Sequence, residues 1–114
     1  MAYCRWSSDD FQCDIYAYPA DGGVTVIVSG NRYDYTPPPR LRKNASAVRR
    51  FERSQAIHDL IRNAPLIPID LPYAGEWRDR ITHEEAAEWL TELRELGYNF
   101  PVDVIDAIEE DMHD

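Results

Sequence analysis

The chain has two cysteines, five glycines and no apolar run near the roughly 20 residues that a membrane-spanning helix needs. Each shortage excludes something. Cys4 and Cys13 are too few for a disulfide framework, and Cys4-x8-Cys13 is too wide for a zinc knuckle without a second pair. His58, His83 and His113 fall in no metal-binding spacing, so no metal or other cofactor is expected. There is no glycine-rich phosphate loop and no His-Glu-x-x-His. Basic residues are also scarce, with 12 Lys/Arg against 21 Asp/Glu, a net charge of −9 and a pI near 4.7. That balance argues against nonspecific nucleic-acid binding by the surface as a whole.

What is present suits an ordered fold. The apolar share of 44% is too high for a disordered chain, and 114 residues can bury one core without staples, so a single domain over 1–114 is expected. Met1 to Trp6 carries no apolar signal segment, which predicts a cytoplasmic protein with two reduced, partly buried thiols.

Residues 1–36 read as antiparallel sheet. From Cys13 to Tyr18 the side chains alternate, Cys13, Ile15 and Ala17 on one side and Asp14, Tyr16 and Tyr18 on the other. Pro19 to Gly23 supplies a turn, and Val24 to Val28 is a β-branched run. Arg32 to Tyr35 and Ala2 to Trp6 are candidates for a third and a fourth strand. Pro37-Pro38-Pro39 ends the sheet as a stiff connector.

Residues 44–63 are helical, with Ala47, Phe51, Ser54, Ile57, His58 and Ile61 on one face and Arg42, Arg49 and Arg53 on the other. Leu66 to Arg80 has no sustained period and reads as an irregular connection. Thr82-His83-Glu84-Glu85 is a capping box, and Gly97 lies where a left-handed residue ends the helix it opens. Asn99-Phe100-Pro101 then opens a second helix with Val104, Ile105, Ile108 and Met112 inward, so 82–112 forms a helical hairpin. The fold class is α+β: an N-terminal antiparallel sheet of three to four strands packed against three helices.

Charge is sorted along the chain. Residues 40–63 hold seven Lys/Arg against two acids, whereas residues 64–114 hold three arginines against fourteen acids. In the hairpin, Glu84, Glu88, Glu92 and Glu95 share one outward arc, and Asp103, Asp106, Glu110 and Asp114 share another. Glu84–Glu88 and Glu88–Glu92 are like-charge pairs, each costing about 0.2–0.5 kcal/mol. A plain solvated face would account for such a ridge. A docking surface for a basic groove would also account for it, because carboxylates at helical spacing can stand in for phosphates. The arginines offer a third account, pairing with these acids within the chain or across a homodimer.

No catalytic constellation stands out. Ser7, Ser8, Asp9 and Asp10 fit a turn or cap better than a triad, and the exposed acids have nothing to raise a general acid's pKa. His58 reads as a hydrogen-bonded core or interface histidine and His83 as solvent-facing. Tyr16 and Tyr18 are candidate interface anchors if the helices cover the Ile15 side, and Trp77 raises the same question.

Several stretches resemble a family of small proteins of uncharacterised function encoded by bacteriophages and prophages. They are Met1-Ala2-Tyr3-Cys4-Arg5-Trp6-Ser7-Ser8-Asp9, Cys13-Asp14-Ile15-Tyr16, Gly22-Gly23, Leu71-Pro72-x-Ala74-Gly75-Glu76, and Leu93-x-x-Leu96-Gly97-Tyr98-x-x-Pro101-x-x-x-Ile105-Asp106-Ala107. The resemblance implies a mobile-element origin and brings no catalytic residues. By analogy it points to action on a host protein in the host cytoplasm, as anti-CRISPR and other defence inhibitors act. The expectation is a non-enzymatic protein-binding factor that docks a basic host protein, without direct nucleic-acid or membrane binding. Two alternatives stand beside it: a phage structural or assembly accessory, and a nucleic-acid-binding regulator using Arg42, Arg49 and Arg53.

Overall fold

Asp21 and Gly22 both have positive φ, 46° and 83°. This is the type I′ turn whose twist matches the strands on either side. The computed structural model describes residues 2–112. The turn joins β1, Ile15–Ala20, to β2, Gly23–Val28, and sets a register in which Ile15 faces Val28 and Ala17 faces Val26. The hairpin and its alternation match the expectation.

The third strand of this sheet comes from the segment that reads as irregular. β5, Trp77–Ile81, pairs antiparallel with β2 and makes β2 the central strand. Its sequence, Trp-Arg-Asp-Arg-Ile, has no alternation to detect, and it is an edge strand with exposed side chains. Thr25, buried in β2, anchors it by donating to Asp79 at 2.8 Å and accepting from the Arg80 backbone N–H at 3.2 Å. Gly23 is required by the same strand, since a Cβ there would lie 2.5 Å from the Ile81 carbonyl oxygen.

The strand expected from Arg32 exists as β3, Asn31–Tyr33, but it leaves the hairpin and pairs with β4, Leu66–Pro68, in a separate two-stranded sheet. The Gly30 carbonyl accepts from the Ile69 N–H at 2.9 Å and starts that pairing. The N-terminal segment, a candidate edge strand, makes a single bridge, Cys4 to Ala17. It runs on to the C-terminal helix, where the Tyr3 hydroxyl donates to Asp111. Burial and that acid raise the Tyr3 phenol to about 12.

Two helices cover the Ile15 face. α3, His83–Leu96, opens on Thr82, whose hydroxyl accepts from the Glu85 N–H at 3.0 Å, and closes on Gly97 at φ 113°. The Glu85 carboxylate returns to the Thr82 hydroxyl, not to its amide. α4, Val104–Asp111, starts three residues later than Pro101 suggests, because Pro101 to Asp103 forms a turn. Leu90, Leu93, Val104 and Ile108 interlock with Ile15, Ala17, Val24 and Val26 in one apolar cluster. Met112, expected inward, is 40% exposed in the last turn.

One buried carboxylate ties these layers together. Asp14, 1% exposed, accepts from Arg32 Nη2 at 2.7 Å and Nε at 3.3 Å, and from the Asn99 backbone N–H at 2.8 Å. Its own N–H donates to the Asn99 carbonyl at 2.7 Å and its carbonyl accepts from the Ser29 N–H at 2.9 Å. The alternation places Asp14 on the Tyr16 side, but these five bonds hold it in the interior.

α2, Ala47–Asn63, joins from the side and gives no residue to the main cluster. Its only buried residue is Ile57, while Phe51 and Val48 are 64% and 65% exposed. Of the apolar face expected here, Ile57 is buried and Ile61 half-buried, whereas Phe51 is turned outward. Arg53 sets that rotation: it donates to both Asp10 oxygens at 2.9 and 3.2 Å and to the Pro38 and Pro39 carbonyls at 2.9 and 3.0 Å. His58, expected in a core or interface with a hydrogen-bond partner, is exposed and meets Phe11 edge-on at 5.7 Å. Asp9, Asp10 and Phe11 belong to the short turn α1, Ser8–Phe11, and all have φ between 54° and 65°. Left-handed backbone costs about 1–2 kcal/mol per non-glycine residue, so Arg40 on Asp9 and Arg53 on Asp10 hold a strained turn.

Two outcomes follow from these contacts. Asp14→Ala, which strands Arg32 and the Asn99 amide, is expected to lower stability by about 3 kcal/mol in urea unfolding; a loss under about 1 kcal/mol would contradict the role given to Asp14. The hydrogen bonds from Arg53 hold the Asp10 carboxyl below its ordinary pKa against the opposing effect of burial. The clasp is then fully present above the ordinary carboxylate range and is lost as pH falls through the lowered value, below about pH 4. Amide resonances around residue 53 should shift in one step there, and Arg53→Met should move that step to higher pH.

Candidate functional site

The arc expected on α3 lies directly opposite its core face. Ala86, Ala87, Trp89, Leu90 and Leu93 are buried, and Glu84, Glu88, Glu92 and Glu95 are all exposed. On α4 the buried Val104 and Ile108 leave Asp106 and Glu110 exposed on the far side, with Asp103 exposed at the N-cap position. Asp114 and His113 lie outside the described residues. Each helix thus carries its acids on its solvent side because the core claims the other.

Among the described residues none of these seven acids forms an ion pair. Four arginines are engaged by acids off the ridge: Arg32 with Asp14, Arg40 with Asp9, Arg53 with Asp10, and Arg80 with Asp21 and Asp79. Arg94 donates to the Phe100 and Pro101 carbonyls and lies over the Phe100 ring. Arg78 stacks on Trp89, 3.9 Å from the ring centroid, and flanks the ridge without bridging to it. Among the described residues, the one side-chain hydrogen bond to the ridge is from the Tyr73 hydroxyl to Glu92 at 2.7 Å, which raises the Tyr73 phenol. Among the described residues the ridge does not pair with the chain's own arginines.

The arginine stripe is broken up by the same contacts. Arg42 and Arg49 are exposed, but Arg53 is drawn in against Asp10 and the proline connector. As a cationic surface the stripe is reduced to two of its three residues.

The face of the sheet away from α3 and α4 is aromatic. Tyr16 and Tyr18 stand on it half-buried, ring centroids 5.6 Å apart, with Trp6 5.5 Å from Tyr16. Trp77, 62% exposed, faces Ile27 across β5 and β2. The alternation of β1 gives the tyrosines, but the place of Trp77 beside them depends on β5, which the sequence pattern does not reveal.

The residues weighed for chemistry are dispersed or inward. Ser8 caps the Arg5 N–H at 3.0 Å within the left-handed turn. His83, expected in solvent, is half-buried with its Nε2 3.5 Å from the Tyr3 hydroxyl. Cys4 and Cys13 are unbridged and buried, and both thiols donate to the Ile15 carbonyl, at 3.3 and 3.0 Å. The neighbouring Cys13 thiol and burial push Cys4 well above the ordinary thiol range. No three metal-ligating side chains come together among the described residues, and no helix there is long and apolar enough to cross a membrane.

The ridge makes a prediction that separates stability from binding. Glu88→Lys turns two like-charge pairs into two opposite-charge pairs, so it should stabilise the chain by about 1 kcal/mol. Thermal unfolding checks this, and a loss of stability would show that Glu88 has a structural role not visible in its contacts. Comparison with protein-family models, curated proteins and solved structures finds no match for this chain.

Proposed function

We propose that this chain is a non-enzymatic protein-binding factor whose outward acidic face on α3 and α4 docks a basic partner protein. The observation that supports it is the uncompensated ridge: seven exposed acids without an ion pair among the described residues, while the arginines that do pair, Arg32, Arg40, Arg53 and Arg80, pair with other acids. Such a surface accelerates encounter with a positive patch and disfavours acidic partners. A solvated face selected for helix stability would carry interspersed lysines, since the like-charge pairs at i, i+4 are unfavourable.

The resemblance at both ends of the chain supports a specific form of the proposal. In that form the partner is a host protein with a basic, nucleic-acid-binding groove, and the chain inhibits or modulates it in the host cytoplasm, as defence inhibitors do. Service as a phage assembly accessory would use the same ridge against a phage protein. Nucleic-acid binding through the arginine helix is disfavoured, because Arg53 is held on Asp10 and the acidic surface repels a polyanion within about 8 Å at physiological salt.

Affinity capture from a phage-infected host lysate, read by mass spectrometry, tests the proposal. The wild-type chain should retain a basic protein that the variant Glu88→Lys/Glu92→Lys/Glu95→Lys does not. Equal recovery by both chains, or no retained protein, would overturn it.

A further inference from the structure

Cys4 and Cys13 are separated in sequence by a whole turn, yet their thiols donate to one acceptor, the Ile15 carbonyl oxygen, at 3.3 and 3.0 Å. Two backbone features bring them there. The left-handed residues Asp9, Asp10 and Phe11 reverse the chain between the cysteines. The segment before that turn lies along β1, where the Cys4 carbonyl accepts from the Ala17 N–H at 3.1 Å and the Cys4 N–H donates to the Ala17 carbonyl at 3.3 Å. The two sulfurs therefore sit side by side against one oxygen, with no bond between them.

The two thiols are not equivalent. Cys13 lines a cavity of about 290 Å³ among Trp6, Phe11, Arg32 and Tyr33, whereas Cys4 is not one of its lining residues. Hydrogen bonding between the thiols holds Cys13 below its ordinary pKa against the opposing effect of burial, and together with burial it pushes Cys4 above. The thiolate is the form that attacks a peroxide, so the thiol that meets the cavity is also the better nucleophile. Cys4 stands behind it as a thiol within reach.

We infer that Cys4 and Cys13 form an oxidation site: a peroxide entering the cavity reacts at Cys13, and Cys4 resolves the product to an intramolecular disulfide. In the first step the Cys13 sulfur attacks one peroxide oxygen. An S–O bond forms, the O–O bond breaks, and the departing hydroxide leaves as water with the Cys13 proton, giving a sulfenic acid. In the second step the Cys4 sulfur attacks the Cys13 sulfur. The S–S bond forms, the S–O bond breaks, and hydroxide again leaves as water with the Cys4 proton. Two thiols thus lose two electrons and two protons, and one peroxide is reduced to two waters. The disulfide closes a loop containing Asp9 and Asp10, the acids that hold Arg40 and Arg53, so it links the two ends of the turn that seats α2. The site does not depend on the α3 and α4 ridge.

The test treats the whole reduced chain with hydrogen peroxide and reads intact mass and tryptic peptides by mass spectrometry. The chain should lose two hydrogens, and cleavage after Arg5 and Arg32 should leave residues 1–5 joined to residues 6–32 through Cys4 and Cys13. Dithiothreitol should restore both thiols. In Cys4→Ser, dimedone should trap a sulfenic acid at Cys13, and in Cys13→Ser the Cys4 thiol should disappear at least about tenfold more slowly than in the wild-type chain. Persistence of both thiols under peroxide, oxidation of Cys13 to the sulfinic acid without a disulfide, a disulfide between two chains, or undiminished loss of Cys4 in Cys13→Ser would each overturn the inference.

Discussion

The rest of the structure depends on the Asp14 carboxylate and the three parts of the chain that it joins. A buried carboxylate is costly unless its charge is paired and its lone pairs are filled. Asp14 meets that requirement with Arg32 from β3 and the Asn99 amide from the turn between α3 and α4. The start of β1, the departing strand and the tip of the helical hairpin are therefore fixed at one point. Once the tip is fixed there, Leu90, Leu93 and Ile108 must face the valines of β2, and the acids of both helices have only solvent left to face.

Charge pairing also decides where α2 lies. Of its apolar residues only Ile57 is buried, and Phe51 and Val48 are turned out. Arg53 holds it by binding Asp10 and two proline carbonyls at once. Charge-assisted hydrogen bonds of this kind are roughly twice as strong as neutral ones and offset the left-handed turn that presents Asp10. With Arg32, Arg40, Arg53 and Arg80 all engaged by acids outside the ridge, the charge asymmetry of the sequence becomes a spatial one.

Legibility followed the range of the interaction. The Asp21-Gly22 turn, the alternation of β1, the Thr82 cap and the Gly97 terminus are written within a few residues and could be read directly. The outward arcs of Glu84, Glu88, Glu92 and Glu95 and of Asp103, Asp106 and Glu110 needed only helical geometry. β5 was hidden because Trp77–Ile81 has no apolar period and gains its pairing from Thr25, some fifty residues earlier. The expected face of α2 holds at Ile57 and Ile61 but fails at Phe51 and His58, because periodicity cannot weigh what Arg53 finds on Asp10.

The claim that the ridge is a docking surface is tested most directly by carboxyl footprinting of the complex with the captured partner. Carbodiimide labelling with an amine, read by mass spectrometry, reports each exposed acid separately. The account predicts that Glu84, Glu88, Glu92, Glu95, Asp106 and Glu110 label in the isolated chain and are protected together in the complex, while Asp21 stays reactive. Equal labelling of the ridge acids with and without the partner would contradict it.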